Sequence, residues 1–462
     1  MTRDTASRNL RIALAVALVL GVGMRVFNAF AYERLWGFDA RFNWAYVQYL
    51  TRTWTLPEPE ALWSAAHPPL FYYVSAALLR MLGNPGPEVG VVVLRLVGTL
   101  AGLGTIALAV AVVRRVAPAE PRRALLAAGL LLFLPVHVYM SAMLTEEIVS
   151  TFFISLALAL LALGLVDPER DLGLGRVAVI GAVCGLALLT KLTGLLAAGT
   201  VCGALLFEAW RRATWRWGLL RIALVVALVA LVGGWFYLRN WILYGYLYPH
   251  GLEIHRVMFT MPPGARFVSD YFSFPLAVWT NPQVLDPDLL RSIWGSTYVT
   301  LWFDGHRAFL PHGVPRVDRV GGVLLALGLL PTAAFLVGVA RGLRRVVAGR
   351  STLDVAFLLL LAAMLVGYVL FTWRNPFFAV LKASFLLGLS VPFAFYASEV
   401  LADWIGRRGR LSLGLKVWLV VGALLVSATF TQTRLFWNMD HMRNPGLIWA
   451  VRDPRTGEIR QP

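Results

Sequence analysis

Residues 31–90 read AYERLWGFDARFNWAYVQYLTRTWTLPEPEALWSAAHPPLFYYVSAALLRMLGNPGPEVG, the first long polar interruption after a hydrophobic run over about 10–30. A carboxylate, Asp39, stands about nine residues past that run. An aromatic, amphipathic stretch follows from Ala40 to Trp54, then a Pro-rich turn (Leu56-Pro57-Glu58-Pro59), then His67-Pro68-Pro69-Leu70. The decision lies in His67–Leu82, which is apolar enough to count as a membrane span. Counting it would place the basic loop 114–123 outside and reverse every later loop. Reading it as a helix in the membrane interface, with Tyr72, Tyr73 and Arg80 at headgroup level, keeps the whole chain consistent.

That consistency rests on the arginines. The chain has 462 residues, 58% of them hydrophobic and with a net charge of +17, which excludes an ordinary soluble domain and a disordered chain. Apolar runs long enough to cross about 30 Å of hydrocarbon recur along it. In lipid such runs must satisfy their own backbone hydrogen bonds, so they are helices. Spans are expected at about 10–30, 90–113, 124–141, 148–166, 176–190, 192–210, 218–240, 319–340, 354–373, 377–400 and 412–431, about eleven transmembrane helices in an all-α integral membrane protein. The first is read as a retained helix, since it lacks a small-residue cleavage site. With the N-terminus inside, the inner loops carry Arg114, Arg115, Arg122 and Arg123, then Arg211, Arg212 and Arg216, then Arg341, Arg344, Arg345 and Arg350, then Arg407, Arg408 and Arg410. Only 167–175, with Asp167, Glu169 and Asp171 against Arg170, is not basic. This is the positive-inside pattern, and it accounts for the charge without nucleic acid.

Three regions follow: an N-terminal membrane module, 1–240, whose first outer loop is 31–90; a second long outer loop, 241–318; and C-terminal helices with an outer tail, 319–462. Cys184 and Cys202 lie in apolar spans and support neither a disulfide framework nor a metal site. The histidines lack metal-ligand spacing, and nothing in the sequence calls for a cofactor.

The expected topology gathers Asp39, Glu146, Glu147, Lys191, Arg239, Asp304 and Arg374 at outer membrane boundaries, where ionisable groups are functional candidates by default. Asp39 is placed to act as a general base or to cap the next helix. His67, held at a helix mouth by two prolines, binds a polar ligand or caps, and Tyr72 belongs with it as a lipid- or acceptor-binding candidate. Glu146 and Glu147 sit in a six-residue turn, AMLTEE, where as catalytic candidates they orient an acceptor or raise the basicity around Asp39 by like charge, or else favour a helix N-terminus. Lys191 in LALLTKLTGLLAAG, Arg239 in WFYLRNWILYG and Arg374 are cations suited to a lipid-linked phosphate, or else to pairing with Glu146, Glu147 or Asp304. Asp304, in WGSTYVTLWFDGHRAFLP, lies among aromatics that stack on a sugar or form an interfacial belt.

Taken in order, the first-loop Asp, HPPL, LRLVGTLAG, the short acidic turn, L-T-K-x-x-G and W-x-x-x-R-N-x-x-x-x-G resemble the polytopic glycosyltransferases of the GT-C superfamily. The branch is the one shared by protein O-mannosyltransferases and lipid A aminoarabinose transferases. The resemblance covers about residues 10–250. It implies a polyprenyl-phosphate sugar donor, transfer on the outer side of the cytoplasmic membrane, inversion at the anomeric carbon, and the first-loop Asp, here Asp39, as base. The chain departs from the pattern twice. Asp39 is followed by Ala40 where relatives often have Glu, and the acidic turn carries Glu146-Glu147 where they often have Asp. The expected protein is a multi-pass enzyme of the inner (plasma) membrane acting on an acceptor the sequence does not name, with a transporter or flippase for a lipid-linked saccharide as the alternative. A flippase would favour internal repeats and broken helices at the midplane; the sequence shows no repeat, and its charges lie at one face.

Overall fold

The structure, a computed structural model, describes residues 3–166, 172–312, 314–349, 351–407, 409–433, 451–452 and 459–460. The acidic stretch 167–171, Arg350, Arg408 and most of the expected outer tail lie outside the described residues. The fold is helical: α1 (Arg3–Ala31), α2 (Ala40–Thr53), α3 (Leu70–Met81), α4 (Pro87–Val116), α5 (Pro121–Leu132), α6 (Pro135–Ala142), α7 (Glu147–Leu165), α8 (Leu174–Thr190) and α9 (Gly194–Arg211). These are followed by α10 (Trp215–Val229), a π turn (Ala230–Gly234) and α11 (Trp235–Tyr244). Across the second long loop run the short helices α12 (Ala277–Thr280), α13 (Pro287–Leu290) and α14 (Ile293–Trp302). The chain then returns through α15 (Pro315–Val347), α16 (Thr352–Arg374), α17 (Ser390–Gly406) and α18 (Arg410–Phe430). The strand content among the described residues is a two-residue antiparallel pairing of Val451–Arg452 with Ile459–Arg460.

Eight stretches are long and apolar enough to cross a membrane: Arg11–Ala31, α4, α7, Trp215–Tyr244, α15, α16, Phe378–Gly406 and α18. A ninth is a bent pair, α5 and α6, at 55° to each other. The remaining two of the eleven expected spans are the shorter α8 and α9, at about 1.5 Å per residue roughly 25–27 Å long. Among the described residues eight helices, or nine counting the bent pair, are thus long and apolar enough to cross, and the expected count of eleven is not confirmed.

The bend has a visible cause. Pro135 has no N–H to donate and opens α6, so α5 ends with its last carbonyls unpaired. Arg25 of α1 reaches them. Its guanidinium donates to Leu132 O at 2.8 Å and Leu131 O at 3.0 Å, and lies 3.2 Å from His137 Nδ1. The side chain is wholly buried. Arg95 of α4 does the same for the end of α1. It donates to Tyr32 O at 2.7 Å and Glu33 O at 2.5 Å, with its guanidinium 4.9 Å from the Tyr32 ring centroid. The LRLVGTLAG arginine thus fixes where the first loop leaves the bundle.

Within that loop, α2 and α3 cover each other. Tyr46, Val47 and Leu50 pack with Phe71, Tyr72 and Leu79, and the Tyr46 and Tyr72 rings stack at 4.2 Å. The two prolines of HPPL set the start of α3, with Pro69 at its N-cap. The second loop docks on the first. Glu60 accepts the backbone amides of Glu253 and Ile254, each at 3.1 Å, and His255 Nε2 lies 2.7 Å from Trp63 O. Trp63 in turn stacks on Phe42 of α2 at 4.8 Å.

Away from these loops, several arginines expected in inner loops are tied into ion pairs. Arg345 binds Asp354 at 2.8 Å and Glu399 at 3.0 Å, Arg123 reaches Glu399 at 3.4 Å, and Arg341 reaches Asp403 at 2.5 Å. They join α5, α15, α16 and α17, so their positive charge carries a packing role.

Candidate active site

Asp39 follows a sharp turn. Gly37 has φ +107°, and a Cβ there would lie 2.9 Å from Met143 Cγ, so only glycine fits without displacement. Asp39 itself adopts a left-handed φ of 54°, uncommon for a non-glycine residue. It occupies the N-cap position of α2 but makes no side-chain cap bond. No ion pair or side-chain hydrogen bond engages this carboxylate among the described residues. The capping role, open in the sequence, is thus not the one the side chain takes. Its charge acts on His67, Tyr72, His255 and Lys382, which places it among them.

Next to it runs a continuous polar chain. Asn43 of α2 donates to Leu144 O at 3.0 Å and accepts from Ser64 Oγ at 2.8 Å and Tyr72 OH at 2.9 Å. Tyr72 OH lies 3.2 Å from His67 Nδ1, which in turn lies 3.4 Å from Glu146 Oε1. With the tyrosine proton given to Asn43, His67 Nδ1 carries the proton that both Tyr72 and Glu146 accept. Glu146 Oε1 is 3.5 Å from Lys191 Nζ, and Lys191 also binds Glu147. Both glutamates are buried. Glu146 holds the N-cap position of α7 and Glu147 its first turn, yet neither residue's carboxylate caps the helix; the Glu147 amide is instead accepted by Thr145 Oγ1 at 3.3 Å. Lys191 stands in the extended link between α8 and α9.

The electrostatics follow from burial and pairing. Burial opposes the charge on His67, but Glu146 outweighs it and raises the imidazole above its ordinary value. Burial likewise opposes ionisation of Glu146, and Lys191 and His67 overcome it and hold that carboxyl well below the usual range. Lys191, desolvated but matched by two carboxylates, is held charged, its ammonium raised. His67, Glu146, Glu147 and Lys191 together are close to neutral, whereas Asp39 beside them is unmatched.

The other candidates fall elsewhere. Arg239, half-buried in α11, donates to Asn240 Oδ1 at 3.2 Å and Tyr244 OH at 3.4 Å, and no described carboxylate lies within ion-pair reach. Its charge acts on Tyr46 and Tyr73, so it faces α2 and α3. Arg374, exposed at the end of α16, acts on His250 of the second loop. Asp304 is not in this cluster. It is buried, and its carboxylate accepts the amides of Ala308, Phe309 and Leu310 at 3.1, 2.6 and 2.7 Å, so it builds its own loop.

Two residues escaped the sequence reading. Asn43 carried a signal, because it is the polar member of the buried stripe Asn43, Tyr46, Val47, Leu50 at helical spacing. Lys382 did not, since a single lysine in an apolar run reads as part of a span. Among the described residues no cluster of three or more His, Cys, Asp or Glu could hold a metal ion.

Residues 66–235 match the sequence model of the dolichyl-phosphate-mannose-protein mannosyltransferase family. Similar solved structures include an oligosaccharyltransferase of Archaeoglobus fulgidus in complex with zinc and sulfate, at 19% identity and TM-score 0.55, covering 91% of this chain and 53% of that one. The same enzyme tethered to an acceptor peptide matches at 16% identity and TM-score 0.53, over 91% and 55% of the two chains. ArnT from Cupriavidus metallidurans bound to undecaprenyl phosphate matches at 18% identity and TM-score 0.41, over 91% and 88%. The chain thus spans about half the length of the oligosaccharyltransferase structures it matches. No curated protein matches the sequence. The chain has the fold of the Archaeoglobus fulgidus oligosaccharyltransferase structures, and within it residues 66–235 match the dolichyl-phosphate-mannose-protein mannosyltransferase family.

Proposed function

We propose that the protein is an inverting glycosyltransferase that moves a sugar from a polyprenyl-phosphate donor to an acceptor on the outer side of the inner (plasma) membrane. The observation that carries this reading is the unengaged carboxylate of Asp39, held in left-handed backbone beside a buried charge cluster. The family matched by residues 66–235 supports the class of donor. Asp39 takes the acceptor proton as the acceptor attacks the anomeric carbon. Arg239, without a carboxylate partner, binds the donor phosphate, and Arg374 stands at the rim. Lys191 is already matched by Glu146 and Glu147, so it serves chiefly to fix that acidic turn, which positions His67 and Tyr72 against the acceptor or lipid. No metal is required, since the leaving phosphate is stabilised by fixed cations. In the division into a membrane module over 1–240, a loop over 241–318 and a C-terminal part over 319–462, the first module then supplies Asp39, His67, Glu146, Lys191 and Arg239, and the C-terminal part supplies Arg374.

The direct test is chemical. Lipid extracts from cells lacking the protein should accumulate a polyprenyl-phosphate sugar, and purified protein should consume that lipid when cell-envelope acceptors are supplied. A lipid profile identical to wild type, with no consumption in vitro, would refute the reading; accumulation of a lipid-linked saccharide on the inner leaflet alone would favour the flippase.

A further inference from the structure

The loop Phe378–Leu389 opens the span Phe378–Gly406 with two stretches of 3-10 helix where a regular helix was expected. Irregular backbone at membrane depth is tolerated where it is buried in protein or lines a cavity. This segment is pinned from three sides: Thr300 Oγ1 accepts the Ala383 amide at 2.9 Å, His306 Nε2 lies 3.0 Å from Leu381 O, and Pro262 O accepts the Phe378 amide at 2.8 Å. At its centre Lys382 is only 8% exposed. Its ammonium lies 3.9 Å from the ring centroid of Phe38 and 5.9 Å from that of Phe385. Among the described residues no carboxylate lies within ion-pair distance of it and no acceptor takes a hydrogen bond from it.

A buried ammonium left to ring faces is costly unless something else completes it. Lys191 makes the comparison. It shares the Phe385 ring, at 5.1 Å, yet is saturated by two glutamates. Lys382 borders Phe38, the residue before Asp39, and the charges of Asp39 and Glu147 act on it. Lys382 and Asp39, opposite charges, are thus linked through Phe38 and form no ion pair with each other. A site built this way fits a ligand that brings an anion to one and a proton donor to the other.

We infer that Lys382 is a donor-recognition residue whose ammonium binds the phosphate oxygens of a lipid-phosphate sugar, opposite Asp39; the inference rests on the proposed transferase reading. In the transfer step the acceptor oxygen bonds to the anomeric carbon and the bond from that carbon to the phosphate oxygen breaks. The acceptor proton passes to Asp39, and the bonding pair stays on the departing phosphate, whose added charge Lys382 and Arg239 share.

The test uses the full chain in nanodiscs, with undecaprenyl phosphate and dolichyl phosphate as probes. Lys382→Met keeps length and apolar bulk, and Lys382→Arg keeps charge. Losing one charged hydrogen-bond donor should weaken polyprenyl-phosphate binding about ten- to a hundredfold in Lys382→Met. Lys382→Arg should retain most of it, and the ligand-free melting temperature of Lys382→Met should hold or rise because an unmatched buried charge is gone. If wild type binds the probes and Lys382→Met binds them equally, the inference is wrong and the transferase reading stands. If ligand-free Lys382→Met melts markedly lower, the ammonium is a structural anchor on Phe38. If wild type binds neither probe, both readings fail together.

Discussion

Asp39 is the side chain whose surroundings separate chemistry from architecture most sharply. Asn is about as good an N-cap as Asp, so sequence alone leaves Asp39→Asn ambiguous. The absence of a cap bond removes that ambiguity. Asp39→Asn should melt within about 0.5 kcal/mol of wild type, as a substitution touching no packing or pairing does. Turnover should fall by about 10²–10⁴, the usual share of a general base. Transfer rates measured beside thermal melts check both halves; wild-type rates in a folded Asn variant would move the role of base to the Glu146-Glu147 turn. What the sequence showed of this site, and what it hid, divides by the same physics. Asp39, His67, Glu146 and Lys191 were visible because charge at a membrane boundary is rare. Their partners were not, because pairing joins residues far apart in the chain, as when Lys191 closes on Glu146 and Glu147. Asp304 was visible for the same reason and misled, since a carboxylate folded onto its own loop reads no differently from one facing a ligand.

Among the elements, the bent pair α5–α6 depends on a side chain from another helix. Hydropathy reads a single span over 124–141, because it averages across Pro135. Arg25 supplies what the proline removes. Arg25→Met leaves the Leu131 and Leu132 carbonyls buried without donors, at about 1–3 kcal/mol each. Thermal melting of the detergent-solubilised variant should show a loss of about 2–6 kcal/mol on that account, accompanied by reduced membrane yield. An unchanged melt would mean that the α5–α6 break is held by its packing alone. The two helices of the first loop were more legible. The stretch Ala40–Trp54 appears as Ala40–Thr53, and His67–Leu82 as Leu70–Met81, because amphipathic spacing and a double proline are local signals.

For the molecule as a whole, the loop-to-loop contacts of Glu60 and Trp63 with residues 253–255 put both long loops on one side of the bundle. The arginine distribution predicts that this side is the outer one. In a variant lacking Cys184 and Cys202, Glu60→Cys should react with a membrane-impermeant thiol reagent applied from outside, and Pro118→Cys should react only after the membrane is opened. The reverse pattern would overturn the assigned orientation and the outer location of the site. The expected orientation is drawn from short-range composition, and the labelling experiment is its test. The depth at which each apolar segment sits was not, because α8, α9 and the 3-10 stretch over Phe378–Leu389 depend on packing that no window of sequence contains.

Arg25 also sets an order of events during synthesis. Its acceptors at Leu131 and Leu132 lie 106 and 107 residues further along the chain. At about 5–20 residues per second, roughly 5–20 s pass before the ribosome has made them. An arginine exposed to hydrocarbon on a lone helix costs at least about 2.5–3.5 kcal/mol. For that interval the side chain has only Gly21 O of its own helix, at 3.0 Å, and the two carbonyls that complete it are still to be made. The burial of Arg25 is therefore complete only once α5 has arrived.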